Sequence, residues 1–309
     1  MTNATAILCA DTHIRADVPK ARTDDFHGSM WNKLWEILQL AHENGDCPIL
    51  VAGDLGEKAE WPDWLEARFI SERMKYPDVE IIVVPGQHDL PQHNIELLDR
   101  SALGVLDSAG MIDVLTDEWS SFDRGEIQVC IQPFPYGQEM VNWPIENKPD
   151  NVFNIAMTHQ LIIEGNIADW KGQTASHALS LLKKFPEYDL ILSGDNHKPF
   201  VVEHEGRLLV NPGSMMRSTA DQISHRPRVY LWWAETNECS IHYLPIKRGV
   251  LSREHLEQAE NKTARMEAFV RSVKNREELK LSFEKNMEDH LVDNPAPEPV
   301  ERKIWVSME

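Results

Sequence analysis

Residues 79–89 read VEIIVVPGQHD. The β-branched apolar run forms a buried strand, and Pro85-Gly86 stops it just before a polar triplet, Gln87, His88 and Asp89. Working outward, CPILVAGD at 47–54 and ATAILCA at 4–10 repeat the pattern, apolar runs ending at Gly53-Asp54 and at Asp11-Thr12-His13. Two helical stretches separate these strands. In residues 25–45, Phe26, Met30, Leu34, Ile37/Leu38 and Ala41 recur at helical spacing, and Gly45 closes the segment. Residues 62–76, PDWLEARFISERMKY, read as the second helix. A β-α-β-α-β order predicts a parallel sheet with crossover helices. The polar residues after each strand then lie at the carboxyl edge of the sheet, where open α/β folds bind ligands.

The middle of the chain changes character. Residues 126–137, 151–160, 188–214 and 225–246 are mostly short strands divided by turn residues, with HEGR (204–207) and ETNEC (235–239) as hairpin turns. They predict a second, more antiparallel sheet packed on the first. Beyond residue 246, residues 253–274 place Leu256, Ala259, Thr263, Met266, Val270 and Val273 on one helical face, and Leu279, Phe283, Met287 and Leu291 follow four apart. A Pro-rich stretch, NPAPEPVE, leads to Ile304 and Trp305. The expected division is a domain at 1–246 and a helical extension with a tail at 247–309.

Composition narrows the function. The chain has 309 residues, 42% apolar and 26% charged, ordinary globular usage. No apolar run approaches the roughly 20 residues a membrane span needs. The N-terminus lacks the basic and apolar regions of a signal peptide. Cys9, Cys47, Cys130 and Cys239 form no CxxC pair and read as reduced thiols of a cytoplasmic protein. The net charge is −19, and residues 1–246 carry 19 basic against 37 acidic side chains. Such a chain repels polyanions unless cations or a local basic patch intervene, which argues against a general nucleic-acid-coating protein.

Five motifs end or follow apolar strands: Asp11-Thr-His13, Gly53-Asp54, Gly86-Gln-His88-Asp89, Thr158-His159 and Gly194-Asp-Asn-His197. One alone is an ordinary polar strand end. Five on separate strands of one chain converge, because a sheet gathers its strand ends, and convergent Asp and His side chains are metal chemistry. Asp11, His13, Asp54, Gln87, His159, Asp195 and His197 are seven candidate ligands, too many for one tetrahedral ion. Two cations sharing a carboxylate use them all, and paired ions roughly 3.5–4 Å apart clamp the attacking and leaving oxygens of phosphoryl transfer.

The motif order DxH … GD … GQHD … H … GDNH resembles that of the calcineurin-like metallophosphoesterases, DxH … GD … GNHD … H … GHxH. Within them it looks most like the DNA exonuclease subunit of the Mre11/SbcD type, in particular its short phage-type relatives. The THQ at 158–160 and NPGS at 211–214 also fit, and the likeness covers about residues 5–246. The resemblance implies an α/β fold of two stacked mixed β-sheets flanked by helices, an αββα sandwich. It implies one cation on Asp11, His13, Asp54 and His197, and a second on Asp54, Gln87, His159 and Asp195. His88 is implied as the non-ligand histidine beside the scissile phosphate, with Asp89 holding its ring in the working tautomer.

Gln87 stands where that family usually has Asn, and Asp195 where it usually has His. The extra carboxylate favours Mn²⁺, or Mg²⁺, over Zn²⁺. Lys198, Arg217, Arg226 and Arg228 punctuate the acidic domain near these motifs and are candidates for neutralising DNA phosphates. The implied activity is metal-dependent hydrolysis of DNA in repair, recombination or replication, alongside a Rad50/SbcC-type ATPase. The terminal helices would dock that ATPase, and IELLDRSALGVL (95–106) is a candidate dimer surface. Two rival readings are a phosphatase or small-molecule phosphodiesterase of the same superfamily, and a catalytically weak scaffold subunit of a DNA-end-processing complex.

Overall fold

A computed structural model of the protein describes residues 3–142, 148–165, 175–254, 266–267 and 285–306. The chain divides into two units, Met1–Ser252 and Arg253–Glu309. The stretch 247–252 belongs to the first unit: Leu251 bridges to Arg22, and Ser252 N donates to Ala21 O at 2.8 Å.

The first sheet grows from the three apolar runs. β1 (Ala6–Cys9), β2 (Ile49–Ala52) and β3 (Ile81–Val84) are parallel and every residue in them is buried. β4 (Asp113–Val114) extends the sheet beside β3. The crossover helices are α1 (Phe26–Glu43) and α2 (Asp63–Arg73). α1 starts where the Asp25 carboxylate accepts the free amide of Gly28, an N-cap. It buries Phe26, Met30, Leu34, Ile37, Leu38 and Ala41, the face its spacing predicts. A fully buried Leu or Ile contributes roughly 1.5–3 kcal/mol by leaving water, so this face fixes the helix on the sheet. α3 (Ala102–Ser108) buries Leu103 and Leu106 in the same core and leaves Val105 exposed, so most of the apolar content of 102–106 is internal.

The second sheet holds β5 (Ser120–Arg124), β6 (Ile127–Phe134), β7 (Val152–Thr158), β10 (Leu190–Ser193), β11 (Phe200–His204) and β12 (Arg207–Asn211). A two-stranded ribbon, β8 (Ile162–Ile163) and β9 (Ser176–His177), precedes helix α4 (Ala178–Lys184). The strand order is β11-β12-β10-β7-β6-β5. The expectation of a more antiparallel sheet is corrected here: β12, β10, β7 and β6 are mutually parallel, and only the edge strands β11 and β5 are antiparallel. A second correction concerns residues 225–246. β13 (Arg228–Trp233) and β14 (Glu238–Tyr243) form the expected hairpin, yet β13 pairs antiparallel with β1, so the hairpin completes the first sheet. Two mixed six-stranded sheets flanked by helices result. Their facing sides bury Leu8, Leu50, Ile155, Leu192, Tyr230 and Trp232, while α1, α2 and α3 cover the outside of one sheet and α4 that of the other.

In the second unit, residues 285–293 and Glu298–Val306 are helical. Met287 and Leu291 are partly buried there, while Leu279 and Phe283 of the predicted stripe lie outside the described residues. Among the described residues no helix is long and apolar enough to cross a membrane.

Candidate metal centre

The loops leaving β1 and β2 keep pairing after the strands end. Asp11 N donates to Gly53 O at 3.1 Å, His13 N to Asp54 O at 3.0 Å, and Ile14 N to Leu55 O at 2.9 Å. This continued pairing needs unusual backbone. Asp11, His13 and Asp54 sit at φ 48°, 47° and 51°, and Asp195 at φ 69°. These are left-handed conformations that cost non-glycine residues roughly 1–2 kcal/mol each. Such strain gathers at sites where side-chain aim matters more than local comfort. Gly53, at φ 83°, is required for a second reason: a Cβ there would lie 2.0 Å from His159 Nδ1. The missing methyl lets the imidazole of one sheet settle against the backbone of the other.

The strand ends of both sheets meet at one point. Asp54 Oδ2 lies 3.4 Å from His159 Nε2, 3.8 Å from His13 Nε2 and 4.0 Å from His88 Nε2. His13 Nε2 and His197 Nε2 are 3.1 Å apart, and His197 Nε2 is 3.8 Å from Asp11 Oδ1. Gln87 Nε2 donates to Asp195 Oδ1 at 2.9 Å. Three overlapping sets bring ligand atoms within 4.8 Å of one another: Asp11, His13 and His197; His13, Asp54 and His88; Asp11, Asp54 and His159. The Asp195 amide donates to Asp11 Oδ1 at 3.1 Å, which ties the Gln87–Asp195 pair to the same cluster. All seven residues singled out from the sequence are thus joined by these contacts, and His88 lies close enough to share the Asp54 oxygen.

The donor set fits divalent cations. Asp11 Oδ2, Asp54 Oδ2, Gln87 Oε1 and His159 Nε2 are buried and hydrogen-bonded to nothing. Four orphaned acceptors from four segments of one cluster carry a large desolvation cost that a cation relieves. The imidazoles are also set for ligation by a contact at the other nitrogen. His159 Nδ1 donates to Ala52 O at 2.7 Å, which leaves the Nε2 lone pair for a cation. His13 Nδ1 lies 3.2 Å from Glu57 Oε2, within ion-pair range though off the hydrogen-bonding axis.

Electrostatics follow from burial and crowding. Desolvation pushes Asp11 up to about 7. Burial also opposes the charge of Asp54, but the His159 imidazole beside it wins and holds that carboxyl well below the usual carboxylate range. Burial works against charge on His159 too, yet Asp54 and Asp11 raise it to about 10. His197, with its side chain 45% exposed, is pushed down to about 4 by desolvation and then by His13. A cation at these atoms competes with their protons, so ligation and deprotonation are linked.

Two residues have different duties from those expected. Asp89 does not hold the His88 ring. Its buried carboxylate accepts from Gly86 N at 2.9 Å, Gly56 N at 2.9 Å and Leu55 N at 3.3 Å, clamping the β2 loop to the β3 loop. His88 is instead oriented by its Nδ1, which donates to Glu57 O at 2.9 Å, while its amide donates to Asp54 Oδ1 at 2.9 Å. Arg217 is not at a cleft mouth: it is buried, bonds Lys247 O, and its own carbonyl accepts from Arg22 at 2.8 Å. Its guanidinium fastens residue 247 to the domain. Lys198, Arg226 and Arg228 do line a cleft of about 1140 Å³ together with His159, Asp195 and His197. Arg226 and Arg228 stand over the Tyr243 ring at 3.8 and 5.0 Å.

Glu57 stands outside the sequence motifs. It reaches both His13 and His88, and Arg15 Nη1 pairs with its other oxygen at 2.9 Å. Its only sequence signal is its place three residues after Asp54 in the GDLGE loop. The NPGS turn buttresses the site, with Ser214 N on His197 O at 3.3 Å and Met215 N on Asp11 O at 3.1 Å.

Among solved structures, an archaeal phosphodiesterase aligns with 13% identity and a TM-score of 0.40, over 77% of this chain and 99% of that one. The TT1561 protein of Thermus thermophilus aligns with 14% identity and a TM-score of 0.48, over 79% of this chain and 100% of that one. No curated protein sequence matches. The family description "Calcineurin-like phosphoesterase" matches residues 4–199, from the first strand through the GDNH segment that supplies Asp195 and His197. The matched stretch covers more than half of the chain and contains all seven candidate ligands, so the chain belongs to the calcineurin-like phosphoesterase family.

Proposed function

We propose that this metal-dependent phosphoesterase hydrolyses DNA phosphodiester bonds, as an exo- or endonuclease of the Mre11/SbcD kind. The observation that carries the reading is the cleft. It borders the candidate metal centre at His159, Asp195 and His197, and it gathers Lys198, Arg226 and Arg228 in a chain of net charge −19. The lining is mixed, with Lys184, Lys198, Arg226 and Arg228 against Glu139, Asp221 and the candidate ligand Asp195. The basic side chains, gathered beside the reaction centre of an acidic chain, suit a substrate with phosphates flanking the scissile one. An open cleft of about 1140 Å³ is roomier than a lone phosphomonoester requires.

Asp11, His13, Asp54 and His197 would hold one cation, and Asp54, Gln87, His159 and Asp195 the other. Bound there, such a pair supplies Lewis-acid activation of the phosphoryl group. The chain's own residues do the rest. His88, pinned through Nδ1 on Glu57 O, presents Nε2 at the rim beside Asp54 and delivers a proton to the leaving oxygen. Glu57 keeps both His13 and His88 turned toward the same point. Asp89 fixes the distance between the loops that carry Asp54 and Gln87. The donor set, with three carboxylates and an amide oxygen, suits Mn²⁺ first and Mg²⁺ second.

The test compares wild type with His88→Ala on linear duplex DNA, plasmid DNA and bis-p-nitrophenyl phosphate in Mn²⁺, Mg²⁺ and Zn²⁺. Mn²⁺-dependent DNA cleavage that His88→Ala abolishes without changing metal content is the expected result. Hydrolysis of the small ester alone would replace the nuclease with a small-molecule phosphodiesterase. Inactivity of both proteins with every metal would favour the scaffold role. The acidity of the chain makes its own hold on DNA weak and salt-sensitive, so a Rad50/SbcC-type ATPase docked through residues 253–309 is the partner that raises activity.

A further inference from the structure

Gln92 and His93 are exposed, neither is glycine, and both hold left-handed backbone, at φ 55° and 57°. Consecutive strain of this kind on the surface needs a cause that burial does not supply. The local anchor is the His93 imidazole. Its Nδ1 donates to the carbonyl of Gln87 at 2.9 Å, and the Gln87 side chain in turn bonds Asp195. The ring is therefore tied to the backbone of a candidate metal ligand.

Its neighbour is Tyr136, with ring centroids 6.0 Å apart and planes inclined by 55°. Tyr136 hangs from the same segment, because its amide donates to Pro85 O at 3.0 Å. The Tyr136 residue is 40% exposed and lines the cleft shared by His159, Asp195 and His197. The His93 ring, through Nδ1, and the Tyr136 main chain, through its amide, are thus held by Pro85–Gln87, the segment that carries the Gln87 ligand, and both residues are exposed.

We propose that His93 and Tyr136 form a stacking step for the nucleobase of the nucleoside esterified to the scissile phosphate. The proposal rests on the phosphodiesterase reading above and narrows its substrate class to nucleotide esters. Flat π faces beside a phosphate site take any base, because every base has a stacking face, whereas a simple alkyl ester offers nothing to fill the step. Lys198, Arg226 and Arg228, lining the same cleft, suit the next phosphate along the strand.

Two esters with one leaving group decide the matter: thymidine 5′-(p-nitrophenyl phosphate), which carries a base, and methyl p-nitrophenyl phosphate, which does not. Wild type should prefer the thymidine ester in kcat/KM. Tyr136→Leu should lower that ratio about tenfold, mainly through KM, and Tyr136→Phe should restore it. His93→Leu should lower it as well, but Tyr136 is the decisive position because its side chain makes no bond to Gln87. Equal use of the two esters by wild type, or a loss in Tyr136→Leu shared equally by both, overturns the step. Failure to hydrolyse either ester overturns the phosphodiesterase reading instead. Fluorescence titration with thymidine 5′-monophosphate then judges the step alone: weaker binding to Tyr136→Leu than to wild type supports it, and equal or absent binding overturns it.

Discussion

His13 and His197 come from opposite sheets and face each other through their Nε2 atoms at 3.1 Å. The His13 ring is also in an edge-to-face arrangement with that of His88, at 5.1 Å between centroids. Two imidazole nitrogens this close are held by a shared proton or by a cation between them. Since His13 is buried and the His197 side chain is half-exposed, the pair closes the centre at its solvent side.

The first prediction follows from that pair. Calorimetric titration with Mn²⁺ should find two ions per wild-type chain and one in His197→Ala, with the remaining ion held by the Asp54, Gln87 and His159 side. Loss of both ions, or of neither, would show that the two groups of ligands are not separate sites.

The second concerns Gln87 and Asp195, linked by a 2.9 Å hydrogen bond. Residues in one network lose their independence on substitution, with coupling energies of about 0.5–3 kcal/mol. Gln87→Ala and Asp195→Ala should each weaken binding of the second Mn²⁺ ion, and the double variant should lose less than the sum. Additive losses, measured by the same titration, would mean that Gln87 and Asp195 act apart.

Asp89→Asn provides the third. The carboxylate accepts three backbone amides, from Leu55, Gly56 and Gly86. An amide there turns at least one donor toward another donor in a buried site, a cost of about 1–3 kcal/mol. Thermal and urea unfolding should show that loss. The pH profile of activity should keep its shape, because the His88 ring is set by Glu57 and not by Asp89. A shifted profile with undiminished stability would return Asp89 to an orienting role.

These cases mark what a sequence can and cannot reveal. The apolar runs ending in Asp54 and Gln87 announce strands and the polar edge beyond them, since side-chain period and stop residues are local properties. The helix 26–43 is equally legible, because its buried face repeats every three to four residues. Pairing partners are not local. The run 228–233 is plainly a strand, but nothing in it names β1 as its neighbour, so its spacing alone puts the return hairpin in the wrong layer. Asp89 misleads for the same reason, as two of the amides it accepts lie more than thirty residues away in the chain. The left-handed backbone at Asp11, His13, Asp54 and Asp195 carries no glycine to betray it.

The last prediction leaves the metal centre for Lys33, in the middle of α1 with 3% of its surface exposed. Desolvation, followed by the Arg22 and Arg217 guanidinium groups, pushes its ammonium down to about 8 from 10.5, against the opposing pull of Asp24 and Glu36. A lowered pKa in the folded state means that the unfolded chain binds the proton more tightly between pH 8 and 10.5. Stability therefore rises with pH across that window, and below it the full penalty of the buried charge remains. Lys33→Met keeps the stem and removes the charge, so at pH 7 the variant should be more stable by about 2–3 kcal/mol. The advantage should shrink steadily from pH 8 and vanish near 10.5. Urea unfolding of both proteins at pH 7 and pH 10 measures the difference while the shared titrations cancel. A variant less stable than wild type at pH 7 would mean that Lys33 is a net attractive partner for Asp24 and Glu36.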